Sequence, residues 1–103
     1  MDLTFLGTGT SQGVPVIACD CNVCVSSDAE DNRLRASAMI TIDGDNYVID
    51  SGPDFRQQIL REKVQDLRAI LFTHEHKDHI AGMDDVRAFN FKHNKDMDVY
   101  CDL

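Results

Sequence analysis

His74-Glu75-His76-Lys77-Asp78-His79, directly after the apolar run Ala69-Ile70-Leu71-Phe72-Thr73, decides how this 103-residue chain reads. The run has the composition and length of a short buried strand. On backbone that stays extended past a strand, residues two apart point the same way, so His74 and His76 are placed to close on one cation. Asp78 and His79, one step further round the turn, are placed for a second cation beside it. Two cations so arranged can clamp and activate a water between them, which suits hydrolysis of phosphate esters or strained carbonyls. The helical protease signature His-Glu-x-x-His is excluded, because the residue four after His74 is Asp78. A solvated polar loop with scattered histidines is the plain alternative. Three His and an Asp within six residues weigh against it.

Working outward from that loop, the chain alternates strand and helix signals. Asp2 to Leu6 reads as a first strand. Ala36 to Ile42 and Tyr47 to Asp50 flank Asp43-Gly44-Asp45-Asn46, a hairpin signal. Ser51-Gly52-Pro53 fits a helix entry with Pro53 in the first turn, and Phe55, Ile59 and Leu60 share one face of a helix reaching about Lys63. After the His loop, Met83 to about His93 reads as a second helix with Met83, Val86, Ala88 and Phe89 as its apolar set, and Met97 to Cys101 as a further strand. Asp84 and Asp85 suit a helix N-terminus. Glu75 and Lys77 point away from the paired histidines and are expected to face solvent, as are Arg56 and Arg87. The glycines Gly7-x-Gly9 invite a dinucleotide reading, but the third falls at Gly13 and Val14-Pro15-Val16 opens no helix, so that reading fails.

From Gly7 to about Arg35 the chain lacks regular patterning, and a loop of that length needs a reason. Cys19-Asp20-Cys21-Asn22-Val23-Cys24 supplies one: three thiolates make three-quarters of a tetrahedral structural zinc site. Three small, half-buried loop residues are the alternative. Cys101, in an expected strand, is poorly placed to be the fourth ligand.

A length of 103 residues allows one domain, and a hydrophobic fraction of 43% argues against disorder. Ten Lys and Arg against eighteen Asp and Glu leave a net charge of −8, which disfavours a nucleic-acid surface. A small anionic substrate remains compatible, because bound cations dominate the local field. No apolar run reaches membrane-spanning length, no basic-then-apolar leader opens the sequence, and the clustered cysteines fit a reducing compartment; the cytoplasm is the expected location.

Thr73 to Gly82 resembles the His-x-His-x-Asp-His motif of the metallo-β-lactamase superfamily. Thr4 to Ser11 resembles that family's opening strand and turn, and Tyr47 to Gly52 its strand ending in an acidic residue beneath the metal loop. The resemblance implies an α/β fold, with residues 1–103 as a single domain forming the N-terminal half of an αββα sandwich: a mixed sheet with helices on one face. It implies His74 and His76 on one metal, Asp78 and His79 on the other, and Asp50 as an acceptor fixing a ligand's orientation. A turn carboxylate is the other reading of Asp50. The glycine turn Gly7 to Pro15 together with Cys19, Cys21 and Cys24 is similar to the cyclic phosphodiesterases of phosphonate utilisation. A protein of pyrroloquinoline quinone biosynthesis in the same superfamily has a similar cysteine run.

The resemblance therefore implies a metal-dependent hydrolase, foremost a phosphodiesterase opening a small cyclic phosphate ester through a dinuclear metal-bound hydroxide that Asp78 orients. Two divalent ions, zinc with manganese or iron as alternatives, are expected at the His loop, and one structural zinc at the cysteines. An RNA-processing nuclease, a thioester or lactone hydrolase, and an inactive zinc-binding fragment are the competing readings. The superfamily's remaining ligands (a His, a bridging Asp and a final His) have no counterpart after this loop except His93. A missing C-terminal half, self-association through a bare sheet face, and no turnover by this chain alone are the resulting expectations.

Overall fold

In the computed structural model, which describes residues 1–102, five strands form one mixed sheet in the sequential order β1 (Asp2–Gly7), β2 (Ser37–Ile42), β3 (Asp45–Ile49), β4 (Ala69–Leu71) and β5 (Asp98–Tyr100). The first three pair antiparallel and the last two join in parallel. Parallel pairing needs a crossover. Helix α1 (Phe55–Arg61) lies between β3 and β4, while α2 (Lys77–Ile80), a 3-10 turn (Met83–Val86) and α3 (Arg87–His93) lie between β4 and β5.

Register assigns the faces. Thr4, Met39, Val48, Ile70 and Val99 form one row across the sheet. From that side Met39, Val48 and Ile70 join Leu6, Phe55, Ile59, Val86 and Phe89 in a single core, so the helices cover one face. The next rows, Leu3–Ile40–Tyr47–Ala69 and Phe5–Ala38–Ile49–Leu71–Tyr100, point to the opposite side. There Phe5 is 67% exposed, Leu3 57% and Tyr100 59%, so that face is apolar and uncovered. The expected α/β class, mixed sheet and one-sided helices are all present.

Several boundaries differ from expectation, each for a local reason. The hairpin turns on two residues, Asp43 (φ 50°) and Gly44 (φ 84°), both left-handed as a type I′ turn requires, so β3 starts at Asp45. It ends at Ile49, and Asp50 follows it in a left-handed conformation (φ 64°). Helix α1 starts two residues after Pro53. The Asp54 carboxylate makes no cap bond; it accepts from the Arg35 backbone N–H (2.8 Å) and guanidinium (3.0 Å) instead. Leu60 is 58% exposed, and Gln58 takes its place inside, donating from Nε2 to the Arg35 carbonyl at 2.9 Å. In the second helical segment Val86 and Phe89 are buried, whereas Met83 and Ala88 are exposed. The long segment after β1 is not wholly irregular: Gly9 bridges Arg35, Val14 bridges Arg33, and Ala29–Asp31 forms a 3-10 turn.

Candidate metal centres

The His loop follows β4 as expected, but the strand ends at Leu71, the chain bends at Thr73, and His76, itself extended, immediately precedes α2. Asp78 and His79 thus stand on the first turn of a short helix, which swings them off the line of His74 and His76. Three imidazoles still converge: the His74 ring lies 4.6 Å from that of His76 and 4.1 Å from that of His79. His79 Nε2 lies 3.0 Å from Asp78 Oδ2. Two lone-pair donors at that separation call for a cation between them, whether proton or metal.

Asp50 sits beneath this group, 5% exposed, and a buried carboxylate must be satisfied. Oδ1 accepts from the Thr73 backbone N–H at 2.8 Å. Oδ2 meets the Thr73 hydroxyl at 2.7 Å and His79 Nδ1 at 2.7 Å. The Thr73 hydroxyl also meets His74 Nδ1 at 2.8 Å. The left-handed backbone of Asp50, unusual for a residue with a Cβ, is what turns its side chain back under the loop.

Two glycines bring the loop down onto this carboxylate. A Cβ on Gly52 would lie 2.2 Å from the Asp78 carbonyl oxygen, and one on Gly82 would lie 2.0 Å from the Gly52 carbonyl oxygen. The Gly82 N–H donates to the Ser51 carbonyl at 2.9 Å, closing both ends of α2 against the turn after β3. The sequence assigns no role to Thr73, Gly52 or Gly82; the signal available was their place at the ends of the stretches that resemble the superfamily's motifs.

Beside the loop is a cavity of about 540 Å³ lined by His74, Glu75, His76, Met83, Val99 and Cys101 among others. Glu75 and Lys77 are exposed, as expected, with Glu75 on the cavity rim. Arg56 and Arg87 are exposed too. Cys101 belongs to this cavity and not to the cysteine cluster.

That cluster is a second candidate centre. The Sγ atoms of Cys19, Cys21 and Cys24 all lie within 4.8 Å of one another. Three thiolates on a tetrahedral zinc stand about 3.8 Å apart, so small rotations would close them on one ion. Among the described residues this is the only set of three or more ligand atoms so tightly grouped; the His-loop donors are more spread. Two ions that share four ligands do not require such tightness. The Cys24 backbone N–H to Cys21 Sγ, with hydrogen bonds from Cys19 and Cys24, lowers the Cys21 pKa to about 7. At Cys24 the Val16 N–H pulls the pKa down, but the bonds with Cys19 and Cys21 and desolvation outweigh it and the thiol is raised.

Residues 45–103 match the family described as the beta-lactamase superfamily domain. The crystal structure of a new diphosphatase from the PhnP family aligns with a TM-score of 0.84 and 56% identity, over 88% of this chain and 36% of that one. The octanoyltransferase of Porphyromonas gingivalis is 45% identical over 103 residues, which is 99% of this chain but 20% of that protein. Ribonuclease Z of Pseudomonas putida is 38% identical over 86 residues, covering 81% of this chain and 22% of the enzyme. The chain thus spans a fifth to about a third of the length of these three proteins.

Proposed function

This chain belongs to the beta-lactamase superfamily, and we propose from that premise that it carries the metal loop of a hydrolase acting on a small phosphate ester, a cyclic phosphodiester or a diphosphate. The observation that carries the reading is the convergence of His74, His76 and His79 beside a cavity, with Asp78 against His79 and a buried Asp50 holding the rings. The donor set of imidazoles and a carboxylate suits zinc, with manganese or iron as alternatives. A pair of divalent cations there supplies an activated water and polarises a phosphoryl oxygen.

The chain's own residues do the remaining work. His74 and His76 would hold one position, His79 and Asp78 the other, and the Asp78 carboxylate would orient the attacking water. Asp50 keeps His79 Nδ1 protonated, so its Nε2 offers a lone pair. Cys19, Cys21 and Cys24 would hold a separate structural zinc, pinning the long loop after β1. The 56% identity to a diphosphatase supports phosphate over carbonyl substrates.

RNA processing is the second reading, favoured by the 38% identity to ribonuclease Z. A net charge of −8 speaks against a polyanionic partner. The test is a longer, metal-loaded form in which the uncovered sheet face is covered, assayed on a 2′,3′-cyclic mononucleotide, a nucleoside diphosphate and a precursor RNA. Turnover of a small phosphate substrate supports the proposal; preference for the RNA, or no phosphate turnover at all, overturns it.

A further inference from the structure

We propose that Thr73 is a positioning residue: its hydroxyl relays the Asp50 carboxylate to His74, so one buried acid sets the ring of a histidine at each of the two metal positions. The argument is one of donor direction. An ionised carboxylate only accepts. Asp50 Oδ2, at 2.7 Å from both, therefore receives the Thr73 hydroxyl proton and the His79 Nδ1 proton. With its single proton committed to Asp50, the Thr73 oxygen can act toward His74 Nδ1, 2.8 Å away, only as an acceptor. His74 Nδ1 must then carry hydrogen, which leaves the Nε2 lone pair free for a cation.

Thr73 is held for this task from two sides, because its own backbone N–H donates to Asp50 Oδ1 at 2.8 Å. Backbone and hydroxyl of one residue grip both oxygens of the same carboxylate, which fixes the side-chain rotamer as well as the strand end. Serine would preserve both bonds. Valine, of the same shape, would preserve only the backbone one and leave His74 free to take either tautomer and rotate.

The inference rests on reading the His loop as a metal site, and its test separates the two. In metal-free, nitrogen-15-labelled protein, long-range nitrogen–proton correlation spectra report which ring nitrogens carry hydrogen. The expected result is hydrogen on Nδ1 of both His74 and His79 in the natural chain and in Thr73→Ser, whether or not His79 Nε2 also carries a proton toward Asp78, with His74 alone released in Thr73→Val. Zinc titration against a chromophoric chelator should show Thr73→Val weakened by about 10- to 100-fold at one of two positions, the range typical of lost outer partners, and Thr73→Ser close to the natural chain. Nε2–H at His74 in the natural chain overturns the proposal whether or not any variant folds. So does a Thr73→Val protein whose tautomers and zinc affinity match the natural ones. The Nδ1–H tautomers without any zinc binding would instead sink the metal reading and leave the relay standing.

Discussion

At the scale of single residues the His loop divides into groups that would touch metal and groups that hold them. The His76 side chain is exposed, and its backbone carbonyl, which accepts the His79 N–H at 2.9 Å, survives substitution, so in a longer, active form His76→Ala should abolish hydrolysis while the melting temperature stays within a degree or two. Asp78→Asn should be comparably severe, since it removes a charged ligand and the water's partner while keeping shape. Steady-state kinetics beside thermal melts check both; near-normal turnover in either variant would remove the mechanism as assigned. The cysteines give a pH prediction. A thiol lowered to about 7 is protonated below that value and thiolate above it, so in metal-free protein Cys21 should be the first cysteine alkylated, with a half-maximal rate near pH 7. Zinc should suppress the reaction. Mass spectrometry of iodoacetamide adducts across pH is the measurement, and uniform labelling of the three cysteines would refute the assignment.

Among the elements, α2 matters most, and it is too short to hold itself in place. Four residues stay helical because their two ends are fastened to the Ser51–Gly52 turn, and that contact requires the backbones to touch. Gly52→Ala would push a methyl into the Asp78 carbonyl. We expect a loss of about 1–3 kcal/mol from this forced contact, together with weaker zinc binding at the position served by Asp78 and His79. Gly44→Ala makes a useful comparison: nothing lies within 4 Å of its added Cβ, so any cost there comes from the left-handed backbone alone and should spare the metal loop. Urea unfolding and zinc titration of both variants distinguish the cases. Equal zinc affinity in Gly52→Ala and the natural chain would show that α2 does not depend on this contact.

For the whole molecule the uncovered sheet face has a physical consequence. Leu3, Phe5, Leu71 and Tyr100 are exposed along two adjacent rows, with Ile40 and Ile49 half-covered between them. Apolar surface of that continuity favours association. The 103-residue chain by itself should therefore self-associate with rising concentration, and should show little or no hydrolysis beside a longer form in which the face is covered. Sedimentation velocity over a range of concentrations is the check. Phe5→Ser with Leu71→Ser should shift the distribution toward monomer without lowering the melting temperature, because neither residue belongs to the core. A strictly monomeric natural chain with full turnover would overturn both expectations. Among the described residues, no helix is long and apolar enough to cross a membrane.

What the sequence determined by itself was whatever is local along the chain. A six-residue ligand run after an apolar strand, an Asp-Gly turn between alternating segments and three cysteines within six residues each bring their groups together by spacing alone, so their identity survives without knowledge of the fold. Tertiary structure decided the rest. Asp50 reaches Thr73 and His79 across 23 and 29 residues, and only the parallel pairing of β3 with β4 sets their ends side by side. Gln58, not Leu60, lies in the interior because its Nε2 donates to the Arg35 carbonyl there, a demand no helical periodicity could reveal. The close approach of Gly52 and Gly82 likewise exists only once α2 folds back onto the turn. Hydrophobic pattern reports which face is buried; which polar group must meet which, and how near two backbones come, depends on contacts between segments that the chain order keeps apart.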